Sequence, residues 1–128
     1  MAKQQTLNLY TVGSTPTTPT NWLRLAQKAS KRSTHPKYRM GAVVVSGGRL
    51  LSLASNLSRR GRHAEVRALQ KLQRGRLPAA ADGCTVYVMR SDAGTSRPCG
   101  FCRAILLHAG VDRVVYIDVF GNVRKEVL

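Results

Sequence analysis

Long apolar runs are absent from this sequence. No stretch approaches the roughly 18–20 apolar residues that a membrane-spanning helix needs, and the first ten residues, MAKQQTLNLY, lack the apolar core of a signal peptide. We therefore expect an intracellular, cytoplasmic protein without a membrane partner. The length of 128 residues and the hydrophobic content of 43% suit one globular domain. Pro16 and Pro19 among threonines predict a flexible lead-in over residues 1–19, before a single domain over 20–128.

Acidic residues are scarce, with 6 Asp and Glu against 21 Lys and Arg, and the net charge is +15. None precedes Glu65, and a field of this kind attracts polyanions or phosphorylated small molecules. Any single basic side chain is more simply explained as a solvated surface group. The arginines just before His63 are different, because charge there would act on substrate, and we predict that they contact phosphate. The basic residues before Glu65 are Lys3, Arg24, Lys28, Lys31, Arg32, Lys37, Arg39, Arg49, Arg59, Arg60 and Arg62, of which the last three form that cluster.

Cysteines number only 3, an odd count that argues against a disulfide framework. Two of them form the sequence Cys99-Gly100-Phe101-Cys102, and this spacing favours a metal site in a reducing compartment. The third, Cys84, opens the apolar run CTVYVM, which predicts a buried strand cysteine.

A histidine joins these two cysteines to make a ligand set for zinc. His63 offers nitrogen, Cys99 and Cys102 offer sulfur, and a Zn²⁺ ion with three protein ligands keeps its fourth position for water. Glu65 is not needed as a ligand, so its carboxylate is available to move protons to and from that water. A purely structural site would need a fourth protein ligand. His108 is poorly placed for this, since it follows Cys102 by 6 residues on the same predicted helix.

The motif His63-Ala64-Glu65, followed by Pro98-Cys99-Gly100-Phe101-Cys102, resembles the signature of the cytidine deaminase-like superfamily. The resemblance extends from about residue 40 to residue 118. It implies hydrolytic deamination of cytosine to uracil, with Zn²⁺ on His63, Cys99 and Cys102 and with Glu65 as the catalytic residue.

The same resemblance implies three substrate contacts. Asn56 would contact the sugar, the backbone N–H of Ala64 would contact the base carbonyl, and Val44 would line the pocket. The residue patterns also allow simpler roles for two of them, a loop-turn asparagine at Asn56 and a core valine at Val44.

Hydrophobic periodicity and turn residues predict an α/β fold with three α-β-α layers. The mixed sheet would have four to five strands, and the Gly121-Asn122 turn signal favours an antiparallel hairpin of the last two. We predict helices over residues 21–32, 63–74 and 98–109, and strands over 40–46, 49–55, 85–89, part of 111–118, and 123–128.

Two local expectations concern the ligands. His63 and Glu65 would diverge in mid-helix, so His63 must lie where the second helix starts. Cys99 and Cys102 are placed at i and i+3 on the third helix, whose N-terminal potential is expected to lower the pKa of both thiols.

The substrate stays open at this stage. His-x-Glu is usual in family members that act on deoxycytidylate or on tRNA adenosine, whereas Pro-Cys-Gly-x-Cys-Arg with a hairpin end is usual in members that act on free cytidine. This sequence combines both patterns. We expect a phosphate-bearing cytosine nucleotide, with single-stranded DNA or RNA as one alternative and a non-catalytic basic module that folds around zinc as another. We also expect a homo-oligomer, since the short C-terminal end leaves a sheet edge that a second copy could cover.

Overall fold

The computed structural model describes residues 19–57, 63–74 and 83–128, so the lead-in predicted before residue 19 lies outside the described residues. Helices and strands follow one another along these segments as the sequence predicts. They are α1 (Pro19–Ser30), β1 (Met40–Ser46), β2 (Arg49–Ser55), α2 (Ala64–Arg74), β3 (Thr85–Arg90), α3 (Gly100–His108), β4 (Arg113–Ile117) and β5 (Val123–Val127). No helix among the described residues is long and apolar enough to span a membrane.

The strands form one mixed five-stranded sheet in the order β2-β1-β3-β4-β5. β1 lies antiparallel to both β2 and β3, whereas β3 and β4 are parallel. Parallel neighbours need a crossover connection, and α3 lies in the one between β3 and β4. At the C-terminal end, β5 runs antiparallel to β4, with Ile117 opposite Val123 and Arg113 opposite Val127.

Helices cover both faces of the sheet, which gives the three predicted layers. On one face, Trp22 and Ala26 of α1 pack with strand residues that include Val43. On the other, Ala68 of α2 and Leu106 of α3 pack with strand residues of opposite orientation. The alternation of side chains along β1 explains both contacts, since successive strand residues point to opposite faces.

Gly41 in β1 allows α1 to lie close to the sheet. A Cβ atom at this position would be 2.0 Å from the carbonyl oxygen of Ala26 and 2.6 Å from the backbone nitrogen of Ser30. Only a residue without a side chain fits this approach of helix to strand.

Several predicted helix boundaries shift by one or two residues. α1 begins at Pro19, two residues before the predicted start, because proline suits the first turn of a helix. α3 begins at Gly100 instead of Pro98, since Cys99 has the extended dihedral angles φ −71° and ψ 167° and occupies the N-cap position.

Three connecting segments meet at one end of the sheet, where its strands begin or finish. Met40 lies opposite Arg90 and Gly41 lies opposite Ser55, so β1 starts where β2 and β3 end. The segments before β1, after β2 and after β3 therefore lie at the same end of the sheet. The segments after β2 and after β3 lead to His63 and to Cys99, so this end of the sheet carries the candidate site.

Candidate metal and catalytic site

His63, Cys99 and Cys102 come together at this end of the sheet. One side-chain nitrogen of the histidine and the two sulfurs all lie within 4.8 Å of one another. His63 directly precedes α2, and its carbonyl oxygen accepts a hydrogen bond from the Arg67 N–H at 3.0 Å. This is the position at the helix start that the separation of His63 from Glu65 requires.

Both cysteines belong to the start of α3, although not as predicted. Cys99 is the N-cap residue and Cys102 is the third residue of the helix, so only Cys102 lies within the helix. The side chain at an N-cap reaches towards the third helical position, and this relation brings the two sulfurs together. The first helical hydrogen bond runs from the Arg103 N–H to the Cys99 oxygen at 2.9 Å.

The three side chains fit a zinc ion. Zn–S bonds of about 2.3 Å and Zn–N bonds of about 2.0–2.1 Å in a tetrahedron separate the ligand atoms by about 3.3–3.8 Å, a spacing compatible with the observed group. Cys102 is fully buried, whereas His63 and Cys99 are exposed. An ion held here would thus be anchored from the protein side and open on the other. His108 does not belong to the described group.

Glu65 is buried beside these ligands, with 4% of its surface exposed. Burial raises the pKa of its carboxyl group, while a backbone hydrogen bond and the nearby His63 act in the opposite direction. A negative charge on Glu65 in turn acts on the Cys102 thiol. The carboxyl group therefore lies within electrostatic reach of the ligand group and is shielded from bulk solvent.

The expected lowering of the thiol pKa is wrong for Cys102. Burial raises the pKa of this thiol well above its ordinary value, and the charge of Glu65 and the neighbouring Cys99 add to the effect. The potential of the α3 N-terminus amounts to about half a charge and does not offset complete burial. A cation beside the sulfur would supply the charge that favours the thiolate.

Asn56 holds the segment that leads into β1. Its side-chain oxygen accepts hydrogen bonds from the Met40 N–H at 2.9 Å and from the Ser33 hydroxyl. Its side-chain nitrogen donates to the Tyr38 carbonyl at 2.7 Å. The sugar contact at Asn56 stays a prediction, and Ser33 is a partner that the sequence pattern did not indicate.

The other predicted substrate contacts differ in their surroundings. Val44 exposes no surface and packs in the core cluster between the sheet and the helices α2 and α3, in agreement with the simpler core role. Ala64 is the first residue of α2 and is 1% exposed, so its N–H belongs to the helix start beside His63. Arg59, Arg60 and Arg62 lie outside the described residues.

Ser96 fixes the segment that enters the cysteine motif, and no sequence signal pointed to it. Its hydroxyl donates to the Val88 carbonyl at 2.8 Å and accepts from the Ile117 N–H at 2.9 Å. The Ser96 N–H also donates to the Ile117 oxygen at 2.9 Å. The residue is 1% exposed, and it ties the approach to Cys99 to the ends of β3 and β4.

Comparison with known families agrees with this geometry. A sequence model described as "Cytidine and deoxycytidylate deaminase zinc-binding region" matches residues 16–118. The chain belongs to this family. Membership in a zinc-binding deaminase family, together with the ligand group, confirms the predicted cofactor, Zn²⁺.

The curated relatives of this chain are longer proteins. Riboflavin biosynthesis protein RibD of Aquifex aeolicus is 33% identical over 111 residues, which cover 80% of this chain and 28% of RibD. tRNA(Ile)-lysidine synthase of Deinococcus deserti is 36% identical over 99 residues, which cover 73% of this chain and 17% of that protein. The chain thus spans less than a third of either relative.

A solved cytidine deaminase shows the same fold over nearly its whole length. The enzyme from Burkholderia pseudomallei superposes with a TM-score of 0.66 at 24% identity, covering 83% of this chain and 89% of that chain. This structure confirms the fold, and the family match over residues 16–118 confirms the resemblance to the cytidine deaminase-like superfamily.

Proposed function

We propose that this protein is a zinc-dependent hydrolase that deaminates cytosine to uracil in a phosphate-bearing cytosine nucleotide. The observation that carries the proposal is the buried Glu65 carboxyl beside the group of His63, Cys99 and Cys102. A site that served only to fold the chain would gain nothing from a buried, charge-bearing side chain at this place.

Zinc, when bound, acts as a Lewis acid that activates water for attack on the ring carbon bearing the amino group. Glu65 accepts the proton that water releases and delivers it to the neighbouring ring nitrogen. The carboxylate then takes the remaining proton from the new hydroxyl group, which becomes the uracil carbonyl, and passes it to the amino group, which leaves as ammonia. A C–O bond replaces a C–N bond, and one water is consumed for each uracil and ammonia formed.

The remaining predicted contacts would orient the substrate. The Ala64 N–H, at the start of α2, would donate to the base carbonyl, and Asn56, directly after β2, would contact the sugar. Arg59, Arg60 and Arg62 would bind the phosphate. The family description itself includes deoxycytidylate, a cytosine nucleotide.

Turnover of a substrate panel tests the proposal. The zinc-loaded protein should release ammonia from dCMP or CMP, and comparison with cytidine and with a cytosine-containing oligonucleotide identifies the preferred form. Glu65→Gln keeps the size of the side chain but cannot carry the proton, so we expect kcat to fall by about 10²–10⁴-fold with the fold and zinc content retained.

Two outcomes would contradict the proposal. One is a folded, zinc-loaded wild-type protein that turns over no member of the panel. The other is a Glu65→Gln variant as active as the wild type. Binding of an oligonucleotide without deamination would favour the non-catalytic basic module instead.

A further inference from the structure

The Glu126 carboxylate contacts both arginines that flank the cysteine motif. One oxygen, Oε2, lies 3.2 Å from a guanidinium nitrogen of Arg97, which precedes Cys99 by two residues. The other, Oε1, lies 3.3 Å from a guanidinium nitrogen of Arg103, which follows Cys102 directly. A single side chain thus holds the chain on both sides of the two sulfur ligands.

Glu126 is itself attached to the sheet. It lies on β5, and its Oε2 accepts a hydrogen bond of 2.7 Å from the hydroxyl of Tyr116 on β4. Tyr116 is 3% exposed and belongs to the core cluster. The carboxylate therefore has a fixed position relative to β4, whereas surface ion pairs usually join two mobile side chains.

The side chains of α3 and β5 do not fill all the space between these two elements. A groove of about 270 Å³ lies between them, lined by Gly100, Arg103, Ala104, Leu107, Val127 and Leu128. Arg103 lines this groove, and its guanidinium also contacts Glu126 of β5.

Opposite charges stabilise the contacts of Glu126 with Arg97 and Arg103. The Tyr116 hydroxyl, the Arg97 guanidinium and the charge of Arg103 hold the pKa of Glu126 below its ordinary value. The residue is accordingly a carboxylate at neutral pH, with a positive partner on each side.

We propose that Glu126 is a positioning residue for the zinc site, which holds Cys99 and Cys102 at the spacing zinc requires by binding Arg97 and Arg103 at once. The inference rests on the zinc site of the proposed function. Groups that orient metal ligands from outside the coordination shell commonly change metal affinity by about 10–100-fold when they are removed. The carboxylate acts here through the backbone on either side of the ligands.

Zinc affinity of a matched pair of variants tests this role. Glu126→Gln removes the negative charge with little change in shape. Asp112→Asn makes the same change at an exposed ion pair with Arg113, also at 3.3 Å, which does not contact the cysteine motif. In competition with a chelator of known affinity, we expect Glu126→Gln to bind zinc about tenfold more weakly and Asp112→Asn to match the wild type.

A second readout reports the ligand geometry. Cobalt(II) in place of zinc gives a visible spectrum that depends on the arrangement of the sulfur ligands, and we expect it to change in Glu126→Gln but not in Asp112→Asn. If Glu126→Gln does not fold, the double variant Arg97→Gln, Arg103→Gln takes its place in both measurements.

Unchanged zinc affinity in folded Glu126→Gln, or an equal loss in Asp112→Asn, would overturn the inference. Both measurements are made without substrate. A failure to deaminate any cytosine compound would therefore count against the proposed function and leave this comparison intact.

Discussion

At the scale of single residues, Ser96 illustrates how one buried hydroxyl can hold two strand ends. Replacement by alanine would leave the Val88 carbonyl and the Ile117 N–H without this partner. We expect Ser96→Ala to lower the free energy of unfolding by about 1–3 kcal/mol, the cost of leaving buried polar groups unsatisfied. Chemical denaturation of the zinc-loaded protein measures the difference.

Ser52→Ala is the matched control for that experiment. The Ser52 hydroxyl is half-buried and donates one hydrogen bond of 2.7 Å, to the Ala68 carbonyl. Its loss should cost less, about 0.5–1.5 kcal/mol, because water can reach the group that remains. Equal destabilisation by the two substitutions would show that Ser96 has no special part in fixing the cysteine segment.

Residue types and spacing were enough to predict that His63, Cys99 and Cys102 come together, but they do not determine how those residues behave. The raised pKa of Cys102 depends on complete burial and on the charge of Glu65, 37 positions earlier in the chain. Ser96 lies in the polar segment RSDAGTSR and meets Ile117 across 21 positions. Contacts of this length leave no periodic pattern, so the sequence alone could not indicate them.

At the scale of helices and strands, prediction succeeded where local signals were strong. β1 and β2 have the predicted bounds because Gly47 and Gly48 adopt the positive φ angles, 57° and 76°, that a tight hairpin turn requires. The start of α3 was misplaced because Pro98 fits a first helical turn equally well. The extended backbone of Cys99, which brings its sulfur towards Cys102, is a property of the assembled site.

The contact between α1 and β1 yields a prediction at this scale. Gly41→Ala would place a methyl group 2.0 Å from the Ala26 carbonyl oxygen, so the helix would have to move away from the sheet. Overpacking of this kind costs about 1–3 kcal/mol or more. We expect a lower denaturation midpoint and a reduced soluble yield.

Gly100→Ala serves as the control for Gly41→Ala. Gly100 is the first residue of α3, and an added Cβ atom meets no other group within 4 Å. This substitution should be neutral or slightly stabilising, by up to about 1 kcal/mol. A Gly41→Ala variant as stable as Gly100→Ala would mean that α1 can shift without loss of packing.

At the scale of the whole molecule, the few acidic side chains are placed unevenly. Outside the site, every acidic residue that the structure describes pairs with arginine in the C-terminal half, where the pairs are Asp92–Arg90, Asp112–Arg113, Asp118–Arg124, and Glu126 with Arg97 and Arg103. Residues 19–57 contain no acidic residue at all. The positive charge of α1 and of the segment before β1 is thus not offset by acidic groups of its own part of the chain.

The segment between α1 and β1 lies at the end of the sheet that carries the candidate zinc site, so the salt dependence of polyanion binding can be tested at a defined place. Four exposed basic residues lie in this segment, namely Lys31, Arg32, Lys37 and Arg39. Binding of a single-stranded oligonucleotide should weaken with salt, with a slope of about 0.7 per phosphate contact in a double-logarithmic plot. Replacing these four residues by glutamine should weaken binding and flatten that slope.

The control removes the same number of charges elsewhere, by changing Arg49, Lys71, Arg113 and Lys125 to glutamine. Arg49 and Arg113 begin β2 and β4 at the opposite end of the sheet. Lys71 lies in the C-terminal half of α2, and Lys125 lies on β5. If net charge alone governed binding, both variants would lose affinity and slope equally. A larger loss in the first variant would place the polyanion beside the candidate zinc site, where the proposed substrate would enter. Equal losses would mean that the basic residues attract polyanions only in general.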